Sequence, residues 1–196
     1  MEPLSLNAVE ALPPGLLAHD NTFVRYGVHG DGSCFFHSMC AALNKDNYLM
    51  ASAEEQSRIG QQFRFSFSKT HCSPERWAAF LVDNPKYNIS HADVVTNFCD
   101  PRFWANEHMI KFVSKVLQLN VLFFDAEKAS MFCGVHGGKN DPMILIMWVK
   151  RSHFEPIGVL RTKRADSCGV QFMFDPTEDK AVVDGVVSRY QRKCRV

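Results

Sequence analysis

The sequence predicts an α+β domain in which a small sheet is covered by helices. Three observations predict it. Apolar residues recur at helical spacing between residues 34 and 119, and short apolar runs bounded by turn residues occupy most of the chain beyond 119. One of those runs, "MILIMWV" at 143–149, is apolar almost throughout, as a strand covered on both faces would be. Helices first and strands later favours segregated layers over an alternating βαβ arrangement.

Residues 1–19 read as a lead-in, broken by Pro13-Pro14-Gly15. Over 34–43, Phe35, Met39, Ala42 and Leu43 share one helical face, and Ile59, Phe63 and Phe67 do the same over 53–67. Ser73-Pro74-Glu75 opens a short helix carrying Trp77, Phe80 and Leu81, because serine before a helical proline makes a good N-terminus. "DNPKYNISHAD" then reads as a turn-rich connector. The clearest helix spans 104–119, where Met109, Phe112, Val113, Val116 and Leu117 form an apolar stripe. It feeds the strand "VLFF" (121–124), a turn region around Gly134, Gly137 and Gly138, and the strands 143–149, 153–160 and 170–174. Residues 20–175 thus form the domain, and 176–196 a C-terminal helix or tail whose basic end "SRYQRKCRV" reads as solvated.

Composition narrows the function classes. A chain of 196 residues with 46% hydrophobic and 22% charged residues is ordinary for one globular domain. The formal net charge of +1 supplies no field for nucleic acid or an anionic membrane. The basic tail lacks the interleaved aromatics of a nucleic-acid binder. No apolar run reaches the ~18 residues of a membrane span, and the N-terminus lacks the charged and apolar regions of a signal peptide. Seven cysteines without a paired pattern argue against a disulfide framework and for a reducing compartment, cytosol or nucleus, and a monomer is expected. Cys133 and His136 are the nearest approach to a metal-ligand pair, but no second pair at suitable spacing accompanies them, so neither metal nor cofactor is expected.

"VHGDGSCFFHSMCAALN" (28–44) carries the chemistry. Asp31-Gly32-Ser33 leads straight into Cys34 at the first turn of a helix. Unpaired amides and the helix dipole favour negative charge there, which stabilises a thiolate. Gly32 allows close approach, and the loop amides could face a developing oxyanion. The segment by itself leaves two readings open, an activated nucleophile and an inert core thiol. A thiol nucleophile needs a base held by a third group. Of the eight histidines, His153 stands out because it opens a strand and Glu155, two residues on, shares its face. His37, one turn beyond Cys34, would lie beside the thiol, and the pair His153 and Glu155 could also be ordinary edge-strand surface.

The motifs "GDGSCFFHS", "FWANEHMIKFVSKVLQLNVLFFD" and "SHFEPIGVL", in that order, resemble the nucleophile, central and histidine segments of the OTU (ovarian tumour) family of deubiquitinating cysteine proteases. The resemblance spans roughly residues 20–175. It implies a papain-like fold with helices on both sides of a small sheet, Cys34 as nucleophile and His153 as general base, with Asp31 also at the site. The backbone of Asp31, Gly32, Ser33 and Cys34 would form the oxyanion hole. Trp104 and Asn106 would support and pack. The implied partner is ubiquitin or polyubiquitin, or a ubiquitin-like modifier. The implied setting is the cytoplasm, a host's if the chain is a viral or bacterial effector, and a catalytically silent ubiquitin-binding module is the alternative. The third site member departs from the pattern: many relatives carry Asp or Asn two residues after the histidine, whereas this chain has Glu155, so Asp20 or a backbone group stays open. Glu155 and the 83–100 connector are candidates to meet the arginines of a ubiquitin tail.

The open position has a direct test. Of Glu155→Ala and Asp20→Ala, only one is expected to slow cleavage of a ubiquitin C-terminal reporter, by about two orders of magnitude, the scale of a misoriented base.

Overall fold

The structure is a computed structural model and describes all residues except 14–16, 18–21, 129, 136, 137, 139, 162–168 and 194–196. Among the described residues the sheet has eight strands: β1 (Val9–Ala11), β2 (Phe23–Tyr26), β3 (Asn120–Asp125), β4 (Ser130–Val135), β5 (Met143–Val149), β6 (His153–Leu160), β7 (Val170–Gln171) and β8 (Met173–Phe174). Their order is β1-β2-β6-β5-β3-β4, with β7 on β6 and β8 on β5. β3 and β5 run parallel, and the other pairs are antiparallel. The helices are α1 (Cys34–Ala42), α2 (Ala53–His71), α3 (Pro74–Asp83), α4 (His91–Cys99), α5 (Glu107–Leu117) and α6 (Lys180–Lys193), with a short 3-10 helix over Lys45–Met50.

Strand alternation divides the interior into two cores. In β3, Val121 and Phe123 join the core beneath α1–α5, whereas Leu122 and Phe124 join the core beneath α6. In β5, Ile144 and Ile146 face the first core, and Met143, Leu145, Met147 and Val149 face the second. This two-sided burial is why 143–149 is apolar at both parities. Helices therefore cover both faces of the sheet, as the sequence predicts.

The helix starts obey local chemistry. Ser52, Ser73, Ser90 and Asn106 each accept, through the side chain, an amide hydrogen bond from three residues on. Several elements differ from the sequence reading: β2 is not predicted, and β4 runs through Gly134, where a turn region is expected. α4 lies in what reads as a connector; Ser90 as cap, with Val94 and Phe98 buried four apart, is the signal that 83–100 contains a helix. β1 recruits part of the lead-in to the sheet through Val9–Tyr26, Glu10–Arg25 and Ala11–Val24 pairing. The apolar run 170–174 divides at Phe172, one half pairing with β6 and the other with β5.

Aromatic packing dominates the first core. Phe112 of α5 meets Phe67, Trp77, Phe80 and Phe98 at centroid distances of 6.1, 5.2, 5.4 and 6.4 Å. Edge-to-face geometry at such spacings adds to the burial of the rings. Phe112→Ala is expected to cost about 3–5 kcal/mol, the scale for deleting a buried aromatic ring. Urea unfolding should show this as a lower midpoint at unchanged slope.

Candidate functional site

Cys34 is the first residue of α1, and every residue of that helix is buried. α1 is pinned to the start of β6 through the main chain of Phe154. The Phe154 amide faces the Cys34 sulfur and favours its thiolate, and the Phe154 carbonyl accepts from Ser38 Oγ at 3.1 Å. The Phe35 and Phe154 rings meet edge to face at 6.1 Å. These contacts bring residues 34 and 153, distant in sequence, to one place. A Cβ on Gly30 would sit 3.8 Å from His153 Cε1 and Nδ1, so that edge of the imidazole faces the loop before Cys34. The opposite nitrogen, Nε2, lies 3.8 Å from Glu155 Oε1. The strand parity that pairs His153 with Glu155 is thus present. The separation is that of an ion pair and exceeds a hydrogen bond.

The carboxylate of Asp31 is turned toward His37. Both of its oxygens accept from His37 Nε2 at 3.1 Å, and Gln61 Nε2 donates to Oδ2 at 3.1 Å. A carboxylate can only accept, so Nε2 carries a proton, while Nδ1 is hydrogen-bonded with the Tyr48 hydroxyl at 3.0 Å. Gly60 makes room for this ring; a Cβ there would lie 2.1 Å from His37 Nδ1. Burial pushes the Asp31 pKa up, but the bond and charge of His37, the Gln61 amide and the Ser33 N–H outweigh it and hold the carboxyl well below its usual range. Asp31 thereby shapes the loop, and its bonds do not reach His153. It also occupies an expected oxyanion donor, since the Ser33 N–H donates to Asp31 Oδ1 at 3.0 Å. Gly32, Cys34 and Asp31 itself supply the other candidate amides.

Burial governs the site's protonation. Cys34 is 4% exposed and His153 7%. Desolvation pushes the Cys34 thiol up to about 11, although the amides of Phe154, Phe35 and Cys34 pull the other way. This corrects the expectation that the helix start stabilises the thiolate: loss of water outweighs the donors. Burial, and after it the charge of His37, lowers His153. At neutral pH Cys34 is therefore a neutral thiol and His153 a neutral imidazole. Glu155 has no exposure at all, and burial raises its pKa against the opposing Leu4 N–H and Arg25.

Arg64 is a residue that sequence reasoning overlooks. It is 2% exposed. Its guanidinium donates to Gly32 O and Ser33 Oγ, each at 3.2 Å, and to Phe98 O, Asn97 O and Asp100 O at 2.9, 2.6 and 2.7 Å. Pro101 O and Phe103 O complete the set at 3.4 and 2.5 Å. One buried cation thus clamps the end of α4 and the next turn onto the loop before Cys34. At Gly32, φ is +85°, and a Cβ would come within 2.1 Å of Pro101 O, so glycine is required there. The available signal was arginine on the apolar face of α2, one residue after Phe63. Trp104, expected to pack, is 54% exposed beside this turn. Asn106 caps α5 through Met109 N at 3.2 Å. Asp20, Cys133 and His136 lie outside the described side chains. Among the described residues no group of three or more His, Cys, Asp or Glu is placed to hold a metal ion.

No protein-family model matches the chain, and no curated protein does. Solved structures do. An ovarian tumour (OTU) domain in complex with ubiquitin superimposes with a TM-score of 0.56 at 17% identity, over 88% of this chain and 85% of that one. The viral OTU domain protease from Dera Ghazi Khan virus gives 0.49 at 18% identity, over 80% of this chain and 99% of that one. The first of these establishes an OTU-type fold for this chain.

With the thiol held near 11, alkylation of Cys34 by iodoacetamide is expected to keep rising through pH 9 to 10 with no plateau near neutrality. Peptide mapping of the alkylated site across that range tests this.

Proposed function

We propose that this chain is a thiol-dependent hydrolase that cleaves isopeptide or peptide bonds at the C-terminus of ubiquitin. The observation that carries the reading is the clasp of Phe154 on α1, which sets the Cys34 sulfur against the residue next to His153. The OTU-type fold supports it, because a fold neighbour was solved in complex with ubiquitin.

The imidazole of His153 takes the thiol proton, and the thiolate attacks the carbonyl carbon at the end of the ubiquitin tail. The carbonyl π electrons move to oxygen, where amides of the Asp31–Cys34 loop receive the negative charge. Collapse breaks the C–N bond, and the departing amine takes the proton from His153. Water then attacks the thioester, His153 accepts its proton, and the carboxylate leaves as the thiol re-forms. Glu155 steadies the imidazolium formed in both halves. Because the resting pair is neutral and enclosed, substrate entry has to open the site before the proton moves.

That enclosure favours a second reading, a ubiquitin-binding module without activity. The two readings separate in one assay. The unmodified chain is expected to release the reporter from a ubiquitin C-terminal conjugate and to form a covalent adduct with a ubiquitin carrying a thiol-reactive C-terminus. Cys34→Ala should lose both while retaining its thermal midpoint. Ubiquitin binding with neither labelling nor release would establish the silent module instead.

A further inference from the structure

We propose that residues 2–7 form a strap that positions Glu155 against His153, making the N-terminal segment a working part of the site. The inference rests on the reading of Cys34 and His153 as the working pair, and it assigns a role to residues that read as a lead-in.

Glu155 is fully buried, and its two oxygens are held separately. Oε2 accepts from Arg25 Nη1 at 3.0 Å. Oε1 accepts from the Leu4 N–H at 2.6 Å, and this is the oxygen that lies 3.8 Å from His153 Nε2. The strap thus grips the atom aimed at the imidazole. Arg25 Nη1 also donates to the Glu2 carbonyl at 2.8 Å, while Nη2 reaches both Glu10 oxygens at 3.0 Å. Two main-chain groups of the strap therefore bracket the buried ion pair and exclude water from it.

The strap is anchored along its length. Glu2 pairs with Lys150, in the turn before His153, at 2.5 Å. Ser5 lies flush on Gly27, where a Cβ would come 2.0 Å from Ser5 O. Asn7 N donates to Gly27 O at 2.9 Å, and Gly27 N donates to Ala8 O at 2.9 Å. The Asn7 side chain accepts from the Tyr26 hydroxyl and from Gln56 Nε2. Asn7 itself has φ of 62°, a left-handed turn that asparagine tolerates, and this turn delivers the chain into β1.

The consequence is mechanical as well as electrostatic. His153 Nε2 is buried and has no hydrogen-bond partner among the described residues. A swing of about 1 Å brings it within bonding distance of Oε1, provided the carboxylate stays still. A carboxylate tied at both oxygens stays still. In a dry setting its field on the imidazole is also stronger than it would be with water admitted. The other charged groups around His153 are Arg25 from the sheet, which the strap touches through the Glu2 carbonyl, and Asp31 and His37 from the α1 side.

Leu4→Pro deletes the single N–H in question, and Pro3 before it already restricts the chain to extended conformations. Gly27→Ala is the second variant, because it lifts Ser5 while keeping every donor. Three quantities are measured for each: kcat and KM on a ubiquitin C-terminal reporter, the rate of Cys34 alkylation by iodoacetamide at pH 8, and the thermal midpoint. Both variants are expected to lower kcat about ten- to a hundredfold with KM within about twofold, the signature of a displaced orienting group. Both should slow alkylation as Glu155→Gln does, and neither should cost anything further in a Glu155→Gln background. An unchanged or raised kcat, or an equal loss in the Glu155→Gln background, overturns the proposal. If the unmodified chain leaves the reporter intact, the deubiquitinase reading has failed, and the alkylation rates decide the strap by themselves: slowed in parallel with Glu155→Gln they uphold it, unchanged they overturn it.

Discussion

The main chain of one residue holds the candidate site together. The Phe154 amide faces the Cys34 sulfur, and its carbonyl accepts a hydrogen bond from Ser38. Both partners lie on α1, one helical turn apart, so the helix and the strand meet in a single orientation. The aromatic contacts of Phe154 with Phe35 and Phe123 lock that orientation in the core. Moving α1 along β6 would break the Ser38 bond and lift the amide off the sulfur inside a region from which water is excluded, where an unpaired polar group is costly.

Around this junction two buried charged groups act as fasteners. Arg64 binds carbonyls of the 97–103 segment and of Gly32, so its charge is dispersed over backbone dipoles. Arg25 binds Glu155 and the N-terminal strap. The first shapes the loop before Cys34, and the second holds Glu155 near His153. Each fastener works because a planar guanidinium donates in several fixed directions at once. A lysine could not span the same set of acceptors.

The same burial that orders the site suppresses its chemistry at rest. Solvent is excluded, so the thiol and the imidazole both keep their neutral forms. A buried thiol with a raised pKa is slow to oxidise or alkylate.

Much of this architecture was legible in the chain. Helical and strand periods marked most of α1, α2, α3, α5, β3, β5 and β6, because burial, on one face of the amphipathic helices and on both faces of β5, writes its pattern into the side chains. The order Asp31-Gly32-Ser33-Cys34 and the alternation His153-x-Glu155 marked the candidate site, whose role stays a proposal. What the sequence by itself determined was the inventory: an α+β domain, a thiol at a helix start and an imidazole with a carboxylate on its own strand face. The tertiary structure decided how these groups are occupied. It gave Asp31 to His37, Glu155 to Arg25 and Leu4, and the carbonyls around Gly32 to Arg64. It also buried Cys34, which pushes its thiol up. Those outcomes depend on distances between segments far apart in sequence and on the exclusion of water, and neither leaves a local period to read.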